Sequence, residues 1–192
     1  MNSEEALQEL KAGNERFIAG TPIFPNQSPE RRAGLTGGQK PFAVILGCSD
    51  SRVPPEIIFD QGIGDLFVIR VAGNVVPDAV LGSMEYAVDH LRVPFILVLG
   101  HQGCGAVQAT IKGGTLPGRI GSLVEAIQPA VEEARRQSGD LLENAVRSNV
   151  KRIVRDLKSR GPILAERVSK GELQIRGGYY RLDSGRAEIF TF

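Results

Sequence analysis

Three near-continuous apolar runs divide the first half of the chain, and each ends at a glycine or a polar loop. They cover residues 42–47 (FAVILG), 65–71 (DLFVIRV) and 94–100 (PFILVLG). Such runs are typical of parallel strands that are buried on both faces of a sheet. Helical patterns lie between and after them, at about 54–60, 79–91 and 103–112. This alternation predicts an α/β fold with a mostly parallel central sheet flanked by helices.

The N-terminal segment predicts a helical arm that precedes this core. A helical pattern begins at Ser3, and Ser28 followed by Pro29 indicates a second helix start, with a proline-containing connector over 21–27 between them. We expect residues 1–40 to form an arm that packs on another subunit, and residues 41–192 to form the α/β core of a single domain.

The C-terminal half predicts further helices and then edge strands. The helical patterns cover about 121–136, 140–160 and 162–170. The strand patterns cover 173–175, 177–182 and 186–190, and the turn Asp183-Ser184-Gly185 predicts a hairpin between the last two. We therefore expect the sheet to end in C-terminal edge strands.

Charge and hydropathy exclude several classes of partner. The net charge of +1 gives no reason to expect a nucleic-acid partner, and the basic residues of 147–160 fit the solvated face of an amphipathic helix. No apolar run reaches the length of a membrane span, and the N-terminus is acidic rather than signal-like. We therefore expect a cytoplasmic protein that binds neither nucleic acid nor membrane.

Both cysteines and one of the two histidines follow the predicted strands. Cys48 follows the first apolar run, and His101 and Cys104 follow the third. Ligands of open parallel sheets bind outside the carboxyl ends of the strands, so these side chains can converge there. Two thiolates and one imidazole suit Zn²⁺, and three protein ligands leave the fourth tetrahedral position for water or substrate. The pattern predicts a catalytic zinc site.

An acid and a guanidinium lie beside the first cysteine. Asp50 is close enough in sequence to Cys48 either to bind the metal or to accept a hydrogen bond from a metal-bound hydroxide. The planar fork of Arg52 can hold a carboxylate through two parallel hydrogen bonds. If Arg52 holds Asp50, the fourth position is open; if it releases Asp50, that carboxylate can close the site.

Simpler interpretations remain open for the same residues. Cys48 and Cys104 could be two buried thiols or a disulfide, and Asp50 with Arg52 could be an ordinary loop ion pair. The second histidine, His90, is expected to lie near the end of a helix, where it would cap the helix or interact with its dipole.

Two segments carry a resemblance to a known family. The run at 48–56 (CSDSRVPPE) and the His-x-x-Cys-Gly of 101–105 resemble the two signatures of the β-class carbonic anhydrases. Further similar segments are 67–74 (FVIRVAGN), 82–88 (GSMEYAV) and 121–131 (GSLVEAIQPAV). The resemblance implies reversible hydration of CO₂ to bicarbonate by a zinc-bound hydroxide.

The resemblance also implies the roles of the metal-site residues. Cys48, His101 and Cys104 would bind one Zn²⁺ per chain, Asp50 and Arg52 would be the catalytic pair, and Asp50 would join the metal only in a closed state. Residues expected to bind substrate by this resemblance are Gln39, Phe67, Ala72, Tyr86 and Gly105.

The family's two types differ at a second bicarbonate pocket. The bicarbonate-inhibited type carries a tryptophan where this chain has Ile45, which favours the plant-like type, although Gly47 is compatible with the bicarbonate-inhibited type. Because neighbouring subunits contribute pocket residues in the plant-like type, the resemblance implies a homodimer or a higher homo-oligomer.

Two other functions remain compatible with the same motifs. The scaffold could hydrolyse CS₂ or carbonyl sulfide, which are similar to CO₂. The chain could also be a non-catalytic zinc protein that senses bicarbonate or thiol redox state. A structural zinc site normally has four protein ligands, so the Asp50–Arg52 pair argues against this second alternative.

Overall fold

A five-stranded sheet forms the centre of the computed structural model, which describes residues 1–114 and 116–190. Its strands are β1 (Ala43–Gly47), β2 (Leu66–Arg70), β3 (Phe95–His101), β4 (Gln174–Tyr180) and β5 (Ala187–Phe190). The spatial order is β2-β1-β3-β4-β5; the first four strands are parallel and β5 is antiparallel to β4. The predicted α/β class with a mostly parallel sheet is confirmed.

Eight α-helices surround the sheet within the described ranges. They are α1 (Ser3–Ile18), α2 (Pro29–Gly34), α3 (Pro55–Ile58), α4 (Asp78–Asp89), α5 (Gly105–Lys112), α6 (Ile120–Ala134), α7 (Leu141–Leu157) and α8 (Pro162–Ser169). A 3₁₀ turn at Ala72–Asn74 follows β2. Across residues 1–114 and 116–190, no helix is both long enough and apolar enough to cross a membrane.

The two central strands divide the core into two layers. Neighbouring residues of a strand point to opposite faces, so Ile45 and Leu97 pack on one side while Val44 and Ile96 pack on the other. The first layer contains residues of α1, α5 and α6, and the second contains residues of α4 and α8. Helix α7 contributes to both layers. Strands β1 and β3 are therefore buried along their whole length.

Two strands differ from their predicted form. Residues of β2 are half-buried or exposed, not buried on both faces, because β2 is an edge strand that pairs only with β1. The predicted strands at 173–175 and 177–182 form one strand, β4. Arg176, which lies between the two predicted strands, pairs with Leu97 of β3, so the pairing with β3 continues without a break. The predicted C-terminal hairpin and edge strand, β4 and β5, are confirmed.

The chain order of the strands reverses beside β1. From β1 the chain first moves to β2 on one side and later to β3 on the other. In open α/β sheets, this reversal leaves a crevice at the carboxyl ends of the two strands on either side of it. Here those strands are β1 and β3, the strands that precede Cys48 and contain His101.

Helix α1 packs on the core of its own chain. Ala6 and Leu10 are fully buried in the first core layer. The buried side chain of Asn14 donates to the carbonyls of Ile58 and Gly185, at 3.1 and 2.9 Å. That residues 1–40 also contact another subunit stays a prediction.

The connector after α1 is held by one buried carboxylate, Asp60. It accepts hydrogen bonds from Arg16 Nε at 2.5 Å and from the backbone N–H groups of Ile23 and Phe24 at 3.1 and 3.0 Å. Burial opposes ionisation of this carboxyl, but these donors outweigh it and lower the pKa of Asp60. Asp60 therefore links α1, the connector and the end of α3.

Replacing Asp60 by asparagine should destabilise the fold. Asp60→Asn removes the charge that Arg16 and the connector amides stabilise, so we expect the free energy of unfolding in urea to fall by about 1.5–3 kcal/mol at pH 7. Because folding lowers the pKa of Asp60, its stabilising contribution is complete above the ordinary aspartate pKa of about 3.9. The contribution is lost as the pH falls through the lower pKa of the folded state. The difference in the free energy of unfolding between wild type and variant should therefore disappear in that pH range.

Asp78→Asn is the matched control, because Asp78 pairs with Arg160 at 3.1 Å but its side chain is 99% exposed. That change should cost less than about 1 kcal/mol. Two results would contradict the stabilising role of the ionised Asp60. One is an equal fall in the free energy of unfolding in both variants, and the other is a destabilisation by Asp60→Asn that stays the same at low pH.

Candidate metal centre

Three buried side chains converge at the crevice between β1 and β3. Cys48 directly follows β1, His101 is the last residue of β3, and Cys104 directly precedes α5. Their ligand atoms all lie within 4.8 Å of one another. The two cysteines are free, which leaves both sulfurs available as ligands. The structure therefore brings together the three residues that the sequence predicts as metal ligands.

The histidine is oriented for coordination. Its Nδ1 lies 2.9 Å from the carbonyl oxygen of Gln102, so Nδ1 carries the hydrogen and donates it. Its Nε2 is then left with a lone pair, and this buried atom has no hydrogen-bond partner in residues 1–114 or 116–190. A buried polar atom of this kind requires a partner, and a metal ion would supply one.

The donor set fits zinc in chemistry and in size. Tetrahedral ligands at about 2.0–2.3 Å from a zinc ion lie about 3.5–3.8 Å from one another, so ligand atoms that all lie within 4.8 Å of one another need to move by at most about 1 Å to reach this arrangement. Cys48, His101 and Cys104 are 4%, 1% and 2% exposed, so the ion would be held in a largely dry site. One tetrahedral position remains for a small molecule.

The two thiols share a proton in the absence of a metal. A hydrogen bond from Cys104 lowers the pKa of Cys48 to about 4, although burial opposes this shift. His101 and the Gly73 amide also lower the pKa of Cys48. The same interaction, together with burial, raises the pKa of Cys104, although the amides of Val107 and Ala106 oppose the change. An incoming cation must therefore displace one proton.

Asp50 is held beside the centre by Arg52. Arg52 Nε and Nη2 donate to the two carboxylate oxygens at 2.9 and 2.7 Å, and the Arg52 amide adds a third bond at 3.0 Å. These hydrogen bonds hold the pKa of Asp50 well below its usual range, although burial opposes them. Oδ2 of Asp50 lies 3.9 Å from Nε2 of His101. Asp50 is thus an ionised acceptor that lies beside the ligand atom of His101.

Sequence reasoning missed two residues, at the end of β2 and just after it, that hold the first ligand. Arg70 donates to the carbonyl oxygens of Cys48, at 2.9 Å, and of Asp50, at 2.5 Å. The N–H of Gly73 lies 3.4 Å from Cys48 Sγ and donates to it. Their position at the carboxyl end of a parallel strand, next to β1, was the signal that could have identified them.

The predicted substrate residues do not all lie together. Gly105 begins α5 beside Cys104, and Ala72 begins the 3₁₀ turn that contains Gly73. Phe67 of β2 and Tyr86 of α4 form a ring pair with centroids 6.4 Å apart, and Tyr86 is 48% exposed. Gln39 lies in the exposed loop before β1, and no hydrogen bond among the described residues joins it to the metal ligands. Their roles stay predictions.

The second histidine is not in the centre. His90 caps the C-terminal end of α4, as the sequence predicts, and its ring centroid lies 5.0 Å from that of Tyr86. This position makes His90 a useful reference for changes at His101.

Comparisons with known proteins agree on one family. A family model described as carbonic anhydrase matches residues 43–187. A Mycobacterium tuberculosis protein named carbonic anhydrase 2 is 51% identical over 192 residues, covering 98% of this chain and 93% of its own length.

Two solved structures share the fold over nearly the whole chain. The β-carbonic anhydrase CcaA has a TM-score of 0.76 at 30% identity, with 96% of this chain and 95% of that chain covered. A structure from a study of two tetrameric β-carbonic anhydrases of the ascomycete Sordaria macrospora has a TM-score of 0.73 at 25% identity, with 98% and 96% covered.

Removing the imidazole of His101 should empty the site. Wild-type protein should retain about one zinc ion per chain after dialysis, whereas His101→Ala should retain less than about a tenth of that, because two ligands do not make a stable tetrahedral site. Metal content measured by atomic emission, with the thiols kept reduced, tests this expectation.

His90→Ala is the control and should retain zinc as the wild type does. Zinc retention by His101→Ala, or an equal loss from both variants, would show that the cluster is not the metal site.

Proposed function

Since the chain belongs to the β-carbonic anhydrase family, we propose that it catalyses the reversible hydration of CO₂ to bicarbonate and a proton at the Cys48–His101–Cys104 centre. The observation that carries the proposal is a three-ligand donor set with an open position, beside which Arg52 holds the ionised Asp50. A structural zinc site would instead be closed by a fourth protein ligand. The relatives reported above are named for carbonic anhydrase, which favours CO₂ over CS₂ and carbonyl sulfide as the substrate.

The three ligands supply one part of the chemistry. Cys48, His101 and Cys104 would hold Zn²⁺, which lowers the pKa of a water in its coordination sphere from about 15.7 toward about 7 and so provides a nucleophile at neutral pH. The hydrogen bond from His101 Nδ1 to the Gln102 carbonyl keeps the imidazole in the tautomer that binds metal through Nε2.

Asp50 supplies the second part. Its carboxylate, fixed by two bonds from Arg52, accepts a hydrogen bond from the attacking water or hydroxide and so directs the oxygen lone pair toward CO₂. The same two bonds keep Asp50 from moving onto the metal. Arg52 is therefore a positioning residue, and Asp50 is the group that touches the nucleophile.

Substrate residues complete the site in our proposal. Gln39 would donate a hydrogen bond to the CO₂ oxygen on which negative charge develops. Phe67, Ala72, Tyr86 and Gly105 would form the wall that surrounds it. Because Gln39 lies in the exposed loop before β1, where a second copy of the chain could reach it, we propose that this residue acts in the site of a neighbouring subunit.

An exposed apolar patch supports assembly with a second copy of the chain. Its side chains are 42–65% exposed, and they are Ile23, Phe24, Ile57 and Ile63. Two grooves that share Gln27, Glu56 and Gln61 connect this patch to Leu66 at the start of β2. Apolar patches next to an unpaired strand edge are typical of protein interfaces. We propose a homodimer or a larger homo-oligomer through this surface, with the arm of residues 1–40 contributing to the contact.

The two thiol ligands support a cytoplasmic location. Coordination by Cys48 and Cys104 requires both sulfurs to stay reduced, and the cytoplasm maintains thiols in that state. We therefore propose that the protein acts there.

Charges placed in the apolar patch should weaken the assembly. The double change Phe24→Glu with Ile57→Glu puts two like charges where apolar side chains would meet, so sedimentation velocity should show a shift toward monomer. Ile120→Glu changes an exposed apolar side chain outside the patch and should leave the sedimentation coefficient unchanged. A wild-type protein that is monomeric throughout, or a double variant of unchanged mass, would contradict the proposed interface.

Removing the Asp50 carboxylate should separate metal binding from catalysis. Asp50→Ala keeps all three ligands, so we expect full zinc content, while kcat/KM for CO₂ hydration falls by about 10²- to 10⁴-fold because the nucleophile loses its acceptor. Stopped-flow measurement with a pH indicator gives the rate, and the zinc content of the same sample is measured in parallel.

Asp78→Ala is the control for this change. Asp78 is also paired with an arginine, Arg160, at 3.1 Å, but it lies outside the site, and activity should be unchanged. An Asp50→Ala protein with full zinc and full activity would exclude the proposed role of Asp50.

A further inference from the structure

We propose that Asn74 is a positioning residue of the metal centre, whose amide sets the distance between the strand ends that bear Cys48 and His101. This inference rests on the zinc site proposed above. Among the described residues, the side-chain hydrogen bonds of Asn74 reach no metal ligand; they reach the backbone of β1 and β3.

The amide of Asn74 joins the two ligand-bearing strands. Its Nδ2 donates one hydrogen bond to the carbonyl oxygen of Leu46, at 3.0 Å, and another to that of Leu99, at 2.6 Å. Leu46 is two residues before Cys48, and Leu99 is two residues before His101. One NH₂ group therefore holds each strand at the residue that lies two positions before its metal ligand.

The strands need a link at this point. The β1–β3 ladder ends with the pair Gly47 and Leu99, after which Cys48 leaves the sheet while β3 continues to His101. The ladder therefore does not by itself determine how far apart the two ligands lie. Asn74 is 2% exposed and sits where water has little access to compete for its bonds.

The backbone around Asn74 is held in an uncommon conformation. Asn74 has φ 59°, in the left-handed region, and Gly73 before it has φ 70°. The positive φ of Gly73 favours glycine, and a Cβ there would also crowd the side chains of Ile127, at 2.5 Å, and Ala106, at 3.1 Å. Asn149 of α7 donates to the carbonyl of Gly73 at 2.9 Å and fixes the turn. Unfavourable backbone kept in place by its surroundings often marks a functional site.

The same turn reaches the first ligand directly. The Gly73 N–H donates to Cys48 Sγ, so the turn contacts the sulfur through Gly73 and the strand through Asn74. Displacing Asn74 should therefore alter the position of Cys48 relative to His101. Groups that orient metal ligands typically cost about 10- to 100-fold in metal affinity when they are replaced.

The test compares two buried asparagines that make equivalent bonds. Asn74→Asp has nearly the same shape and tolerates left-handed φ, but it places an acceptor oxygen against two carbonyl oxygens. Asn14→Asp makes the same change at a residue whose Nδ2 also donates to two carbonyls, those of Ile58 and Gly185. Both side chains are buried, and within the described residues the side chain of Asn14 bonds only to Ile58, Gly185 and Ala187, which lie outside the metal site.

Two measurements on the full-length protein separate positioning from general destabilisation. Zinc affinity is measured by competition with a chromophoric chelator, and ligand geometry by the visible and thiolate charge-transfer bands of the Co²⁺-substituted protein. We expect Asn74→Asp to bind zinc about 10- to 100-fold more weakly and to show shifted Co²⁺ bands. Asn14→Asp should match the wild type in both measurements, even where its unfolding midpoint is lower.

Asn74→Gly is a second variant, which removes the side-chain amide and adopts φ 59° without strain. If Asn74→Asp does not fold, Asn74→Gly tests the positioning role in its place. Wild-type affinity and spectra in a folded Asn74 variant, or equal weakening in Asn14→Asp, would overturn the inference. Cys48→Ser tests the underlying site: if it loses zinc while the Asn74 variants do not, only the positioning role fails. If Cys48→Ser binds zinc as the wild type does, the proposed zinc site itself is wrong.

Discussion

The parallel pairing of β1 with β3 is the interaction on which the site depends. It brings the carboxyl ends of two strands together, and with them two ligands that are distant in sequence, Cys48 and His101. Both strands are buried along their whole length, so side chains from both core layers restrict their movement. A metal site built at such a point needs little rearrangement when the ion binds, because the ligand spacing is set by the sheet and by Asn74.

Charge balance explains why this centre can be buried. Two thiolates neutralise a divalent cation, and Asp50 with Arg52 adds a neutral pair beside it. The buried centre therefore carries no net charge until a hydroxide or bicarbonate enters, which limits the desolvation cost of placing it in the protein. In the first turn of α5, directly after Cys104, the backbone amides of Ala106 and Val107 act on the Cys104 sulfur and favour its thiolate form.

Much of this arrangement could be predicted from the sequence, and the parts that could not have physical reasons. The apolar runs located β1 and β3, and ligand chemistry identified Cys48, His101 and Cys104, because zinc requires these residue types. The edge position of β2 was missed, since an apolar run has the same sequence pattern at an edge as in the centre. The apolar pattern of β2 predicts a fully buried strand, whereas the residues of β2 are half-buried or exposed in the single chain.

The supporting residues were missed for a different reason. Arg70, Gly73 and Asn74 act through bonds to backbone atoms of other strands, and nothing in the local sequence indicates which carbonyls a side chain will meet. Their roles depend on the crevice that the strand order creates. The end of a predicted parallel strand indicates where such residues can lie, but the carbonyl oxygens that they contact become visible only when the whole sheet is known.

The edge strand connects assembly to catalysis. Arg70 is the last residue of β2, and it donates to the backbone carbonyls of Cys48 and Asp50, which we propose as the first metal ligand and the catalytic carboxylate. Within the described parts of the chain, the outer edge of β2 has no paired strand, and the apolar patch lies next to it. A second copy that covers this edge would reduce the motion of β2 and therefore of the loop that Arg70 holds. Because the proposed interface and the metal centre share this strand, a subunit that separates from its partner should lose order first in the loop at Cys48 and Asp50, whose carbonyl oxygens Arg70 holds.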